Sequence, residues 1–589
     1  MAHKEALGPH PPKVPLSIRV GVTGHRDVKD GELLRGAVRR VLTEISQFAH
    51  TLASGELKDY TEGTPVLSLV SPLAEGADRI VADVARELGF DLRCPLPFTI
   101  DEYSEDFETP ESKAQFFNLL ESAGSKGVLQ LDGDPRQRQK AYKAVGHTML
   151  VQSDVVIAIW DGKPEKGEGG TAEIIRAAHS LALPVVWIHA RQPDRIELLD
   201  QGDSPQSTDL GQLEDRLEAI FGLPKISSQP KEAAALRYFF RETRPKLSLG
   251  GFYEFLYSLV RGKPRWPKIV VEDFQKATKK EWSNRIPEEV QEFVAQGFRA
   301  HFSWADNLAG YYAGLSRSSV IANYLMGAAV VLTAFVSIQR SNLASTYIEL
   351  ALLTAILLLT WWGRHRRWHE RWMDYRTLAE SLRLMQFAAP LAQVPPSFRV
   401  PVHMERGDPR TSWANWHFRA VVRYAGMVPT IFGGGYLASC RDLLVWFAQD
   451  SQATYHKNTA ERAHRVHSRM HRLGFGLFAL AAAGCIVHLI GHEVKHPAFS
   501  FTVGFIVVVI PAFGAAIAAI LHHAELERVS FRSHALEARL RKVAADLKAR
   551  TEIDSLFLGA QFHRIAEIMQ AEFVDWRYVF LDKDLVLPS

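Results

Sequence analysis

Residues Asp154–Glu173 read DVVIAIWDGKPEKGEGGTAE, and their pattern decides how the N-terminal half folds. Asp154–Trp160 is an apolar run rich in β-branched side chains, the composition of a strand buried on both faces. It breaks into a glycine-bearing loop, and a helical pattern opens at about Ala172. Gly167, Gly169 and Gly170 let the backbone approach a phosphate closely. The helix then aims its first amides at the ligand, and Thr171 adds a hydroxyl. Glu173 falls in the first turn, placed either to cap the helix or to hydrogen-bond a ribose. A purely structural glycine turn is the alternative reading of the same residues. The chain has no GxxxxGK[ST], which excludes a Walker-type NTPase, and no GxGxxG after its first strand.

Four further runs share the strand pattern. Ser17–Val22 (SIRVGV) ends in Thr23-Gly24-His25-Arg26, where backbone N–H groups and Arg26 can meet an anion. Pro65–Val70 leads through Gly76, Asp78 and Arg79 into an amphipathic helix ending near Leu88. Asp91–Leu96 and Pro184–His189 complete the set. Strand–loop–helix alternation predicts a parallel sheet with helices on both faces, and ligands in such sheets bind at the C-terminal strand edges. All three glycine-containing loops fall there. Gly24, His25, Arg26, Gly76, Asp78, Arg79, Gly167, Gly169, Gly170, Thr171 and Glu173 are therefore expected in one cleft.

A chain of 589 residues exceeds one hydrophobic core. With 69 Lys+Arg against 66 Asp+Glu, a net of +3 makes no case for direct nucleic-acid binding. Cys94, Cys440 and Cys485 are too scattered for a disulfide framework or a thiolate metal site. A mean hydropathy of −0.08 averages two unlike halves. From Ser319 onward come four long apolar runs, Val320–Ile338, Tyr347–Trp362, Leu473–Ile490 and Phe499–Leu521. A bilayer core needs roughly 17–25 helical residues, so these predict four spans in two hairpins, the second span being short.

The polar start MAHKEALGPHPPKVPLS has no apolar signal core, so the N-terminal half is expected to stay cytoplasmic. The flanking charges agree. Arg364, Arg366, Arg367, Arg371 and Arg376 follow the second run, Arg462, Arg465, Arg469 and Arg472 precede the third, and Arg528, Arg532, Arg539, Arg541 and Lys542 follow the fourth. The two short connectors carry only Arg340 and Lys495. The positive-inside rule then puts both termini in the cytoplasm of an inner or plasma membrane protein.

The hairpins repeat one plan, a polar helix, two spans and an Arg-rich helix. Trp368, Trp372, Tyr375, Leu378 and Leu382 form an apolar stripe on the first Arg-rich helix, suited to pack on neighbouring helices or to lie on lipid headgroups. Gly514, Ala515, Ala518 and Ala519 in the fourth run favour close helix contact, and with it a homo-oligomer. His488 is the one ionisable residue well inside a span, which is little for a proton or substrate pathway. His492–His496 matches HExxH, but it sits in a short connector followed by Pro497 with no third ligand nearby. It reads as a polar turn, and no metal is expected.

GVTGHR, LAEGADR, the stretch from Tyr142 and Gly146 to SDVVIAIWDG, and GGTAE together resemble the SLOG superfamily, the Rossmann-like group that includes the "Lonely guy" phosphoribohydrolases. WADNLAGYYAGLSRS, QATYH and the paired spans resemble the SLATT membrane domains often fused to it. The two resemblances leave the leader and roughly Gln192–Val294 uncovered. They imply an α/β Rossmann-like parallel sheet followed by an all-α membrane region with two transmembrane hairpins. Residues 1–16 form a Pro-rich leader, 17–191 the nucleotide-binding domain and 192–294 a connector. Residues 295–387 and 436–589 are the hairpin units, with 388–435 a linker. Gly170 and Thr171 match the central GT of the hydrolases' PGGxGTxxE loop. Glu173 comes one residue early, and Lys166-Gly167-Glu168 replaces the Pro-Gly-Gly start. Arg26 and Arg79 are the candidates for those enzymes' catalytic Arg. The resemblance thus carries binding of a nucleotide-derived ligand, with no further cofactor, into a bilayer-disrupting or pore-forming effector of a bacterial conflict system. A membrane-anchored nucleotide hydrolase using Glu173, and a scaffold that binds nothing, are the alternatives.

Overall fold

The computed structural model describes residues 8–28, 31–54, 59–163, 169–199, 207–222, 230–245, 250–262, 264, 285–340, 342–399, 408–491, 493 and 496–581. Its N-terminal half is built on one sheet in the order β4-β3-β2-β1-β5-β6-β7-β8. The five anticipated strands are present as β1 (Ser17–Gly24), β2 (Val66–Val70), β3 (Asp91–Leu96), β5 (Val155–Trp160) and β6 (Val185–His189), all parallel. β4 (Val128–Gln130) adds a parallel edge. Strand alternation explains why the β5 run is apolar throughout. Val155, Ile157 and Ile159 join one core with Val38 and Leu42 of helix Glu32–Ser54. Val156 and Ala158 join another with Met149 of helix Arg138–Val151 and Ile174 of helix Thr171–Ser180.

The expected boundary at residue 191 falls inside this sheet. β7 (Ile196–Leu199) turns back antiparallel on β6, and β8 (Ser207–Asp209) pairs with β7. Helix Leu213–Phe221 then buries Leu213, Leu217 and Phe221 in the same core as β1. The first part of the stretch read as a connector is the far edge of the sheet.

Four helices in the C-terminal half are long and apolar enough to cross a membrane. Along them Ile348, Leu350, Leu357, Trp361, Phe475 and Leu489 are exposed, an outward apolar surface suited to lipid. The repeat is visible in the backbone. Each unit has a long helix, Ala300–Arg340 and then Thr454–Ile490, and each is preceded by wide, π-type turns at Ala295–Arg299 and Trp446–Ala453. In the first unit the second span is Leu343–His365. In the second unit it is Pro497–Gly504 continued through Phe505–Val509 and Ile510–Ala524. Arg367 and Glu525 then take the left-handed conformation (φ 53° and 49°) at equivalent points. There the chain breaks direction, and the Arg-rich helices Trp368–Ala388 and Leu526–Ala549 fold back on their own long helices. Trp368, Trp372, Tyr375, Leu378 and Leu382 are all buried, so the apolar stripe packs on protein.

Two of the span glycines pack inside the chain, while Ala515 and Ala518 of the fourth span are exposed. A Cβ at Gly514 would lie 3.0 Å from the Phe478 ring, and one at Gly504 3.0 Å from Phe335. Phe335 also meets Phe501 at 5.3 Å and Phe505 at 6.3 Å between ring centroids, joining the first long helix to the fourth span. Asn323 Nδ2 donates to Thr360 Oγ1 at 2.9 Å, a buried hydrogen bond between the first two spans. In the HExxH stretch, His492, Val494 and Lys495 lie outside the described residues.

The two halves are packed together, and residues 388–435, read as a linker, make much of the joint. Helix Trp413–Ala425 is buried on most of its surface. Arg423 Nε donates to Asp154 at 2.9 Å, and the same carboxylate is held by Arg19 at 3.2 Å. At the β4 edge, Gln130 N–H donates to Thr430 O at 3.0 Å and Phe432 N–H to Gln130 O at 2.8 Å.

Candidate functional site

β1 and β5 are parallel neighbours, so the loops that follow them emerge at the same edge of the sheet. His25 Nε2 lies 2.9 Å from Asp161 Oδ1, which ties the Thr23–Arg26 loop to the head of the Asp161–Gly170 loop. Lys163 Nζ and Arg191 stand 3.7 and 3.8 Å from the same carboxylate. Arg26 is exposed and lies with its guanidinium 4.7 Å from the centroid of the Tyr142 ring. The Tyr142 hydroxyl donates to Asp106, which is also paired with Arg138. On the other side of Tyr142, a Cβ on Gly169 would sit 3.4 Å from Tyr142 Cβ and 3.1 Å from Lys143 N. Arg26, Gly169 and Glu173 therefore all lie against helix Arg138–Val151, with His25 adjoining through Arg26. Gly170 caps helix Thr171–Ser180 in extended conformation, and Thr171 is its first residue. Gly167 lies outside the described residues.

Glu173 serves its own loop. It accepts from Gly169 N–H at 2.7 Å and pairs with Lys143 Nζ at 2.6 Å. The Lys143 contact, then the Gly169 N–H, hold its carboxyl below the usual range, so it stays ionised at neutral pH.

The other glycines answer to protein neighbours. A Cβ at Gly24 would come within 2.4 Å of Ala77 Cβ, and one at Gly76 within 2.2 Å of Arg26 O. Gly76 (φ 79°) lets two loop backbones touch, and Ala77 N–H donates to His25 O at 3.1 Å. Part of the amide array at that helix start is thus taken by the neighbouring loop.

Asp78 and Arg79 are buried behind this contact, 6 % and 2 % exposed. Asp78 accepts from Ala74 N–H at 3.3 Å. Burial pushes its carboxyl up to about 7, against the opposing effects of that hydrogen bond and of Arg26 and Arg79. Arg79 donates to Leu73 O at 3.1 Å and Ser112 O at 2.8 Å and stacks 4.1 Å from the Phe107 ring centroid. It clamps helix Ala77–Glu87 to helix Pro110–Ala123.

Tyr142, Lys143, Asp161 and Asp106 are site residues that sequence reasoning did not single out. Tyr142 and Asp161 stand inside stretches it quoted. Lys143 follows Tyr142 in the same stretch, and Asp106 joins the site through tertiary packing, which leaves no local signal.

Helix Arg138–Val151 is linked to the C-terminal half. Asp132, two residues past β4, accepts from Ser555 N–H at 2.8 Å and from the Ser555 hydroxyl. Ser555 begins the C-terminal helix Ser555–Leu581, which packs on the first Arg-rich helix. From Asp132 the chain runs directly into helix Arg138–Val151 and so to Tyr142 and Lys143. No family model, curated protein or solved structure matches the chain.

Proposed function

We propose that the protein is a ligand-gated membrane effector. The α/β half binds a nucleotide or nucleotide-derived anion from the cytoplasm, and the paired hairpins, assembled as a homo-oligomer, respond by opening or damaging the bilayer. The resemblance of the sequence motifs to SLOG and SLATT domains supports reading it as an effector of a bacterial defence system. The observation that carries the reading is the stretch from Asp132 to Lys143. One end is bonded to Ser555 at the root of the C-terminal helix, and the other supplies the floor of the cleft. A ligand that prefers one arrangement of that floor shifts the helical half by its differential affinity. Arg26, Lys163 and Arg191 supply positive charge at this edge, with Asp161 drawing the last two together, and Arg26 is held over the Tyr142 ring.

The hydrolase alternative uses Glu173 as general acid or base, and the acid role needs it to hold a proton. Its lowered pKa and its pairing with Lys143 weigh against that role. The test is a pair of measurements on the full chain, nucleotide binding by equilibrium dialysis and dye leakage from liposomes. Asp132→Ala should keep binding within about threefold and abolish the ligand-dependent part of leakage. Leakage that no nucleotide changes in the wild type, or steady turnover of the bound nucleotide, would overturn the proposal.

A further inference from the structure

A cavity of about 570 Å³ lies between the two hairpin units, at the end of the spans nearest the α/β half. The units touch on both sides of it, where Phe335 meets Phe501 in the spans and where Phe387, at the end of the first Arg-rich helix, stacks on Phe447 with ring centroids 3.8 Å apart. Helix Gly251–Val260 bridges the gap. Its start is seated on the first long helix, where Ser318 Oγ donates to Gly250 O at 2.7 Å and accepts from Tyr253 N–H at 3.0 Å. Its end is held by the second long helix through Arg469 donating to Val260 O at 2.7 Å. The space below this crossbar runs along the first long helix from Ala309 to Leu325, about 24 Å.

Its two ends differ in chemistry. The end inside the apolar runs is lined by Ile321, Leu325, Leu473, Ile517 and Ile520. The other end carries Arg317, Arg376 and Arg532 with the carboxylates Glu254, Glu380 and Glu572. Arg376 is paired with Glu380, and Arg532 with Asp575 at 2.9 Å. Arg317 has no carboxylate partner among the described residues. It is stacked 4.7 Å from the Trp372 ring centroid and 5.3 Å from that of Tyr253. It stands three residues before Val320, at the level where an apolar run gives way to polar helix.

We propose that this cavity binds one membrane phospholipid, its phosphate on Arg317 and an acyl chain in the apolar end between the hairpins. A cavity of this volume is within the range of small-ligand sites. Its apolar end lies among residues of three of the spans, Ile321, Leu325, Leu473 and Ile517, and suits an acyl chain. A cation held on two ring faces and left without a counter-ion suits a phosphate. The site is separate from the nucleotide cleft, so either can fail without the other.

The test is phosphorus analysis and native mass spectrometry of the full chain purified from membranes in mild detergent. The expected result is about one phospholipid per chain, retained through delipidating washes. Gly310 lines the cavity, and a Cβ there meets nothing within 4 Å, so Gly310→Trp should fill the space and lose the lipid. Arg317→Gln, an exposed change that keeps the test readable should Gly310→Trp not fold, should cut retention about tenfold, and Arg317→Lys should restore most of it. Wild-type chain free of phospholipid, or equal retention in wild type and Arg317→Gln, would overturn the proposal.

Discussion

Arg423 and Asp154 are separated by 269 positions in sequence and meet at 2.9 Å in a buried ion pair that Arg19 shares. Burial pushes the Asp154 carboxyl up, yet the two guanidiniums outweigh it and hold it below the usual range. Losing the carboxylate would strand two buried cations, and breaking such a pair costs about 3–5 kcal/mol. Asp154→Ala should therefore lower the melting temperature strongly. Arg423→Met leaves Arg19 and Asp154 paired and should cost less, while loosening the joint between the halves. Limited proteolysis of the two variants checks this, with faster cleavage between the halves expected for Arg423→Met. Equal stability of Asp154→Ala and wild type would contradict it.

Asp78 predicts a pH dependence. Its ordinary value is 3.8 and its native value is about 7, so the folded state holds the proton more tightly than the unfolded chain. This contribution is fully present below about pH 4, is lost as pH rises toward 7, and stays lost above. Asp78→Asn removes the burden, and on the order of 2–4 kcal/mol of relative stabilisation should appear between pH 4.5 and 8. Thermal melts of both proteins at several pH values read this directly. Parallel curves would show that Asp78 does not titrate in that window.

Gly170→Trp places a large side chain at the cap of helix Thr171–Ser180, where a phosphate is proposed to sit. Nucleotide binding should fall at least tenfold, and ligand-dependent dye leakage should vanish, while the protein stays in the membrane. An anchored hydrolase predicts lost turnover with leakage indifferent to ligand in either protein.

Topology is checked by single cysteines in a background lacking Cys94, Cys440 and Cys485. Phe531→Cys, at a position 79 % exposed on the second Arg-rich helix, should react with an impermeant maleimide only from the cytoplasmic side. Glu493→Cys, between the third and fourth spans, should react only from the other. The reverse pattern would contradict the positive-inside assignment.

The sheet's centre was legible because β5 is apolar throughout and β1, β2, β3 and β6 are rich in buried apolar residues. β4, β7 and β8 escaped notice. They hold three or four residues each, too few for a period to register. Glycines were legible as places of close approach, but sequence does not say what approaches. At Gly24 and Gly76 it is the neighbouring helix and loop, and at Gly169 it is the helix bearing Tyr142. Arg79 looked like a ligand contact from its place in a loop motif, and the structure spends it on Phe107 and Ser112. The spans were the easiest to read because water forces their composition, whereas the docking helix Trp413–Ala425 reads as an ordinary amphipathic segment.

The contact of Phe335 with Phe501 and Phe505 has a consequence for symmetry. It uses the first long helix of one unit and the fourth span of the other, and the reciprocal contact, third span on second span, is not made to a comparable extent. Two copies of one fold are thus joined head to tail, through unlike surfaces. Such a joint is not self-limiting, since each added unit leaves the same two unlike faces free at its ends. Repeated from chain to chain with its rotation preserved, it either closes into a ring with twice as many units as chains or grows without end.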